Sequence, residues 1–187
     1  MPQPTKHVVV KGERFRVHLS RDELRLRVAE LGQQITRDYA GKKPIFIGVL
    51  NGAIMFMSDL LRAVDLDCEI DFIKLSSYGA EKVSSGNVTK LKGIDADLKD
   101  RHVIFVEDIV DTGLSMQFLM DLVQESNPAS VAVATLLHKH EATRVPLTLD
   151  YVGYRIPNQF VIGYGLDWGQ IGRNLPELYI LDEPGKN

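Results

Sequence analysis

The sequence predicts an α/β fold, a parallel sheet flanked by helices, with a small hood and a flexible flap. Two observations carry this expectation. Short runs at 45–50, 103–106 and 130–137 are apolar or rich in Val and Ala throughout, as strands covered on both faces are. Between them lie stretches of helical periodicity at 21–40, 53–63 and 113–125. A chain of 187 residues, 44% hydrophobic and 25% charged, fits one domain over 1–187 with a full core and room for the hood or flap.

The first helix has Ser20 and Glu23 in capping-box spacing, Leu24, Val28, Leu31 and Ile35 on one face, and Gly41 at its end. Ile45–Leu50 then runs into an Asn51-Gly52 turn and a second helix, giving strand, turn, helix. Residues 67–75 read as another strand. The polar stretch 76–93 has little to bury and reads as a mobile flap. After the strand at 130–137 come short strands at 151–154 and 160–164, and the tail from Asp167 is rich in turns.

Composition narrows the function classes. The formal net charge of −3 and the lack of any like-charge run argue against a nucleic-acid partner or a polybasic membrane anchor. No apolar stretch approaches spanning length, and the N-terminus lacks a signal-peptide pattern, so no membrane association is expected. With Cys68 the sole cysteine, neither a disulfide framework nor a thiolate metal cluster is available, and a cytoplasmic location is expected.

In parallel α/β sheets ligands bind beyond the carboxyl ends of the strands, which ranks Asn51 with Gly52, Glu107 through Ser115, and the segment after Leu137. The run Val103-Ile104-Phe105-Val106-Glu107-Asp108-Ile109-Val110-Asp111-Thr112-Gly113-Leu114-Ser115 brings two adjacent carboxylates to the crevice and a third one turn later. Gly113 lets an anion approach the backbone, Thr112 and Ser115 offer hydroxyls, and the first N–H groups of the next helix point outward. Adjacent carboxylates repel unless partnered, and ribose hydroxyls or a hydrated Mg2+ would partner them. Taken singly, the acidic pair is also an ordinary strand end and Asp111-Thr112-Gly113 an ordinary helix cap. A P-loop is excluded by the lack of Gly-Lys followed by Ser or Thr, and the spacing of Asp108 and Asp111 does not suit an aspartyl-phosphate enzyme.

The whole string resembles the signature by which type I phosphoribosyltransferases bind 5-phosphoribosyl-1-pyrophosphate. Further matches resemble the hypoxanthine-guanine phosphoribosyltransferases, a purine-salvage group. The resemblance implies a 5-phosphate site at Asp111, Thr112, Gly113, Leu114 and Ser115, with Glu107 and Asp108 on the ribose hydroxyls. Leu50-Asn51-Gly52-Ala53 is similar to the family's pyrophosphate loop, where a cis peptide turns an N–H toward the leaving group; many relatives carry Lys at the position of Asn51. Arg173 matches the arginine for the pyrophosphate oxygens, and Ser77-Tyr78 the pair on the flexible catalytic loop, placed here at 76–93. For the purine, Lys139 is implied against the 6-oxo group, Phe160 as the stacking ring and Val161 through its backbone. Asp167 is implied both at the purine site and beside a second Mg2+ near pyrophosphate, so the implied metal ligands are Glu107, Asp108 and Asp167. His138 and His140 read as surface residues, and Trp168 as lid packing.

On this resemblance the small-molecule substrates are a 6-oxopurine base and 5-phosphoribosyl-1-pyrophosphate, the cofactor is Mg2+, and the assembly is a homodimer or homotetramer. Asp111 is implied as the general base for the purine ring proton, or as a stabiliser of positive charge. Two rivals stay open: the same chemistry on xanthine or a pyrimidine, and a non-catalytic regulator of the same fold. The regulator would need a DNA-binding extension, and the part before the first core strand offers one amphipathic helix only.

Overall fold

A computed structural model describes residues 7–75 and 90–182. Its main sheet contains β3 (Ile45–Leu50), β4 (Glu69–Leu75), β5 (Lys90–Lys92), β6 (His102–Val110), β7 (Ser130–His138) and β8 (Tyr151–Arg155). The order is β5-β4-β3-β6-β7-β8, all neighbours parallel except the antiparallel edge β5. Five parallel strands flanked by helices match the expected architecture.

Alternation along the strands sorts side chains to two faces. Phe46, Ile104, Val106, Ala132, Ala134 and Leu136 pack against α1 (Arg21–Asp38) and α2 (Ile54–Ala63), through Leu24, Val28, Leu31, Ile35, Phe56, Met57 and Leu60. Ile45, Ile47, Val49, Val103, Phe105 and Val133 pack against α3 (Leu114–Gln124), through Met116, Leu119 and Val123. α1 begins at the expected capping box: Glu23 N–H donates to Ser20 Oγ at 3.3 Å and Ser20 N–H to Glu23 Oε2 at 2.8 Å. Arg27 fastens this helix to the sheet edge by donating to the Val152 and Gly153 carbonyls of β8 at 2.8 and 2.9 Å.

The hood is a second, four-stranded antiparallel sheet, β1 (His7–Val10), β2 (Glu13–Leu19), β10 (Leu178–Leu181) and β9 (Val161–Ile162), in that order. It joins the two ends of the described chain around Val10, Phe15, Ile162 and Tyr179. This corrects the sequence reading in two places, because residues 7–19 are a hairpin and the turn-rich tail contains a buried strand. A third correction concerns β6. It does not close at the acidic pair but continues to Val110, because β7 goes on pairing with it through Ile109↔Leu137 and Val110↔His138. Of the flap assigned to 76–93, Lys90–Lys92 pairs with β4, while Ser77 and Tyr78 lie outside the described residues.

Candidate active site

After β3 the chain crosses α2 to reach β4 on one side, then returns to place β6 on β3's other side, so the strand order reverses between β3 and β6. A crevice opens beyond their carboxyl ends at such a reversal. Here it is a cleft of about 500 Å³, and its walls include Gly52, Glu107, Asp108, Asp111, Thr112, Gly113, Ser115, Lys139, Phe160, Val161 and Asp167. These eleven come from four separate stretches of chain, and each was expected at the site from the sequence.

Asp108 is buried, and its Oδ1 accepts from the N–H of Ile109 at 2.8 Å. Its Oδ2 occupies the space that a side chain on Gly52 would need: a Cβ there would fall 1.6 Å from that oxygen. The glycine thus lets the turn after β3 close onto the acidic end of β6. Burial first, then the adjacent Asp108 charge, pushes the Glu107 carboxyl well above the usual carboxylate range. Burial pushes Asp108 up too, opposed by hydrogen bonds from Glu107 and Ile109 and by the Arg173 charge. Two oxygen-rich groups held with unmet demand for positive charge or donors suit ribose hydroxyls or a hard cation. No group of three or more Asp, Glu, His or Cys gathers around one point among the described residues, so a cation here would complete its shell with substrate and water oxygens.

The turn between Asp111 and α3 has the shape of an anion cradle. Gly113 sits in the left-handed region at φ 83° and caps α3, whose leading N–H groups have no carbonyl ahead of them. Thr112 Oγ1 lies 3.5 Å from the Leu114 N–H. Leu114 itself is 51% exposed, contributing backbone rather than a contact wall. The Leu50-Asn51 peptide is cis, as the resemblance implied, and Asn51 is exposed outside the cleft lining.

The base side is assembled from later segments. Lys139 Nζ lies 3.1 Å from Asp111 Oδ2, and its side chain is only 11% exposed, so this ammonium is no solvated loop group. Phe160 is 38% exposed and faces the cleft instead of joining the core. Its ring meets Trp168 edge-on at 4.8 Å and Phe15 at 6.2 Å, which places Trp168 against the candidate stacking ring. Arg173 does not line this cleft: Nη2 pairs with Asp167 Oδ1 at 2.6 Å, and Nη1 donates to the Gly165 carbonyl at 2.8 Å. Asp167 Oδ2 also accepts from Gln170 N–H at 2.6 Å, so both oxygens of this carboxylate already have a partner.

Sequence reasoning missed three residues around the site. Tyr164, with Gly163 and Gly165, has a positive φ, and its hydroxyl donates to Asp59 Oδ2 on α2 at 2.6 Å, fixing the loop that carries Asp167. Thr143 reaches the Asp111 carbonyl at 3.1 Å. His138, read as a surface residue, has a buried Nδ1. Only the Gly-Tyr-Gly spacing offered a local hint, because the other two depend on contacts across the sheet end.

Comparison with known proteins decides the family. The phosphoribosyl transferase domain matches residues 20–168. The chain belongs to the phosphoribosyltransferase family. Among curated relatives, the hypoxanthine-guanine phosphoribosyltransferase of Streptococcus mutans is 44% identical over 168 residues, covering 90% of this chain and 93% of that protein. The Streptococcus pneumoniae enzyme of the same name is 45% identical over 168 residues, with the same two coverages of 90% and 93%. A crystal structure of the Bacillus anthracis hypoxanthine-guanine phosphoribosyltransferase superposes with TM-score 0.84 at 41% identity, covering 89% of this chain and 98% of that one. A Staphylococcus aureus hypoxanthine phosphoribosyltransferase structure gives 0.85 at 37% identity, covering 89% and 90%. As a phosphoribosyltransferase this chain is an enzyme of the transferase class, and the cleft described above lies within the matched residues or, for Phe160 to Asp167, at their end.

Proposed function

We propose that this phosphoribosyltransferase moves the 5-phosphoribosyl group from 5-phosphoribosyl-1-pyrophosphate to hypoxanthine or guanine, releasing pyrophosphate, as a step of purine salvage. The observation that carries the reading is the contact of Lys139 with Asp111 inside the cleft. It puts a donor suited to an exocyclic oxygen and an acceptor suited to a ring N–H side by side, the complement of a 6-oxopurine edge.

In this reading Thr112, Gly113, Ser115 and the α3 N-terminus hold the 5-phosphate, with the backbone of Leu114 and Asp111 completing the cradle. Glu107 and Asp108 orient the ribose hydroxyls. The backbone at Asn51 and Gly52 faces the pyrophosphate, and Arg173, released from Asp167, provides a planar fork for its oxygens. Phe160 stacks on the purine, Val161 offers backbone groups to its edge, and Lys139 holds the 6-oxo oxygen. The purine ring nitrogen bonds to the anomeric carbon as the carbon–oxygen bond to pyrophosphate breaks. The bonding pair leaves with pyrophosphate, and the ring proton passes to the Asp111 carboxylate. Glu107 and Asp108 would hold one Mg2+ and Asp167 would help to hold a second, the metal supplying charge neutralisation for the pyrophosphate leaving group.

A cytoplasmic homodimer or homotetramer is part of the same proposal. The single cysteine supports the location, and Ile54 and Met55, 39% and 38% exposed at the start of α2, support an interface. Incubating the protein with Mg2+, the activated sugar and each of hypoxanthine, guanine, xanthine, adenine and a pyrimidine tests the reading. Nucleotide formation confined to 6-oxopurines is expected; preference for adenine or a pyrimidine would overturn it.

A further inference from the structure

Three successive carbonyls of the phosphate turn are tied to the connection that follows β7. Lys139 N–H donates to Val110 O at 2.9 Å, Thr143 Oγ1 to Asp111 O at 3.1 Å, and Arg144 N–H to Thr112 O at 3.0 Å. The outer two bonds are backbone to backbone and indifferent to side-chain identity. The middle one, on the residue that accepts the proton, depends on a hydroxyl.

That hydroxyl has one proton and several neighbours. Thr143 Oγ1 lies 3.1 Å from Asp111 O, 3.3 Å from Lys139 O and 3.0 Å from His138 Nε2. Lys139 O already accepts from Ala142 N–H at 2.9 Å, whereas Thr143 is the donor that Asp111 O has among the described residues. Giving each of these two carbonyls a donor therefore sends the hydroxyl proton to Asp111. The contact with His138 must then run the other way, with Nε2–H donating to Thr143 Oγ1. Nδ1 is left with a bare lone pair, and it is the buried side-chain nitrogen that has no partner among the described residues. A neutral ring agrees with its surroundings: burial first, then the Arg155 and His140 charges, holds His138 below the ordinary histidine range.

We propose that His138 and Thr143 are positioning residues for phosphoribosyl transfer: His138 Nε2–H holds the Thr143 hydroxyl, which holds the Asp111 backbone so that its carboxylate meets the purine ring proton. The proposal rests on the reading of Asp111 as proton acceptor. His138 also precedes Lys139 directly, so the same anchor holds the base-recognising lysine in step with Asp111.

The test is steady-state kinetics with hypoxanthine, Mg2+ and the activated sugar on the full chain. Thr143→Val, which keeps shape and removes the hydroxyl, is expected to lower kcat about tenfold, the scale of one lost hydrogen bond. The KM for the activated sugar should change by less than about twofold, because the N–H groups of α3 remain. Thr143→Ser should recover kcat. His138→Leu should match the Thr143→Val loss, and His138→Gln, whose amide N–H stands in for Nε2–H, should recover most of it. The double variant Thr143→Val/His138→Leu should be no worse than either single one, since both break one chain of bonds. Nitrogen chemical shifts of His138 should show a neutral ring protonated at Nε2.

Wild-type kcat in Thr143→Val, no recovery in Thr143→Ser, additive losses in the double variant, or a proton on Nδ1 would each overturn the proposal. If Thr143→Val does not fold, the His138→Leu and His138→Gln pair and the tautomer measurement decide alone. Asp111→Asn measured in parallel separates the two layers. Near-normal turnover there removes the underlying role of Asp111, whereas a crippled Asp111→Asn beside a fully active Thr143→Val removes only the anchor.

Discussion

Lys139 Nζ sits 3.1 Å from Asp111 Oδ2, so the residue proposed to read the base and the residue proposed to take its proton form an ion pair before any substrate arrives. Each fixes the other's rotamer, and a purine must insert its oxygen and N–H edge against a preformed donor and acceptor.

Removing either partner should therefore produce different kinetic faults. Asp111→Asn keeps the shape and loses the proton acceptor, and should lower kcat by about 10²- to 10⁴-fold with nucleotide binding far less affected. Lys139→Ala should lower kcat/KM for hypoxanthine and guanine by about 100-fold, and relax the preference against adenine. Equal losses on every base tried for Lys139→Ala would contradict its role in reading the 6-oxo group.

Gly52 admits no side chain. A methyl there would overlap Asp108 Oδ2, so Gly52→Ala must push the turn after β3 away from the acidic strand. Overpacking of this kind costs about 1–3 kcal/mol, which thermal unfolding would register. The KM for the activated sugar should rise about tenfold, because the proposed pyrophosphate and ribose contacts would both shift. An alanine variant with wild-type KM would mean that the turn is not part of the site.

Glu107 is a stability liability in a position proposed to bind the ribose hydroxyls. Its carboxyl is pushed up by burial and by Asp108, so ionising it opposes folding at neutral pH. Glu107→Gln should unfold at a higher temperature than the natural chain when no ligand is added, and should lose activity. In the natural chain, adding Mg2+ and the activated sugar should raise the unfolding temperature by more than it does in the variant. A destabilised Glu107→Gln protein would count against this account.

The tyrosines predict an alkaline limit to stability. Burial raises Tyr151 and Tyr164 far above the ordinary phenol, each also donating to a carboxylate, Asp38 and Asp59 respectively. Tyr179 is pushed up to about 12 by burial and by its bond to Glu177. A raised folded value means that the stability these phenols contribute is complete below the unfolded pKa of about 10 and is lost as pH climbs through the folded values. Absorbance titration should show these rings ionising only as the protein unfolds, above about pH 11. Reversible ionisation of all six tyrosines near pH 10 in a folded protein would rule this out.

The sequence exposed what is local and periodic. The α1 capping box and its Leu24, Val28, Leu31, Ile35 stripe both formed as read, and Ile45–Leu50 kept its limits. What escaped depends on partners far along the chain. The charged alternation of Glu13–Leu19 becomes a strand between two partners, the adjacent His7–Val10 and, from across the whole sequence, Leu178–Leu181. Likewise the acidic pair looked like the end of β6, since charges rarely enter a buried strand, yet β7 extends the ladder past it. Within the site, side chains with a recognisable chemistry in a recognisable string were legible. Thr143 and His138 were not, because their importance comes from which carbonyl they reach.

That extension of β6 has a consequence for how Asp111 and Lys139 are spaced. Val110 stands opposite His138 on the same rung, so Asp111 and Lys139 each leave the sheet one residue later, from adjoining strands. The gap between the proposed proton acceptor and the proposed base reader is thus measured by interstrand spacing, about 4.8 Å, and not by a loop. A one-residue insertion in either strand would slide Asp111 or Lys139 about 3.3 Å past the other and turn alternate side chains to the wrong face. Length changes should be tolerated after Arg144, in the connection toward Tyr151, and rejected before Lys139.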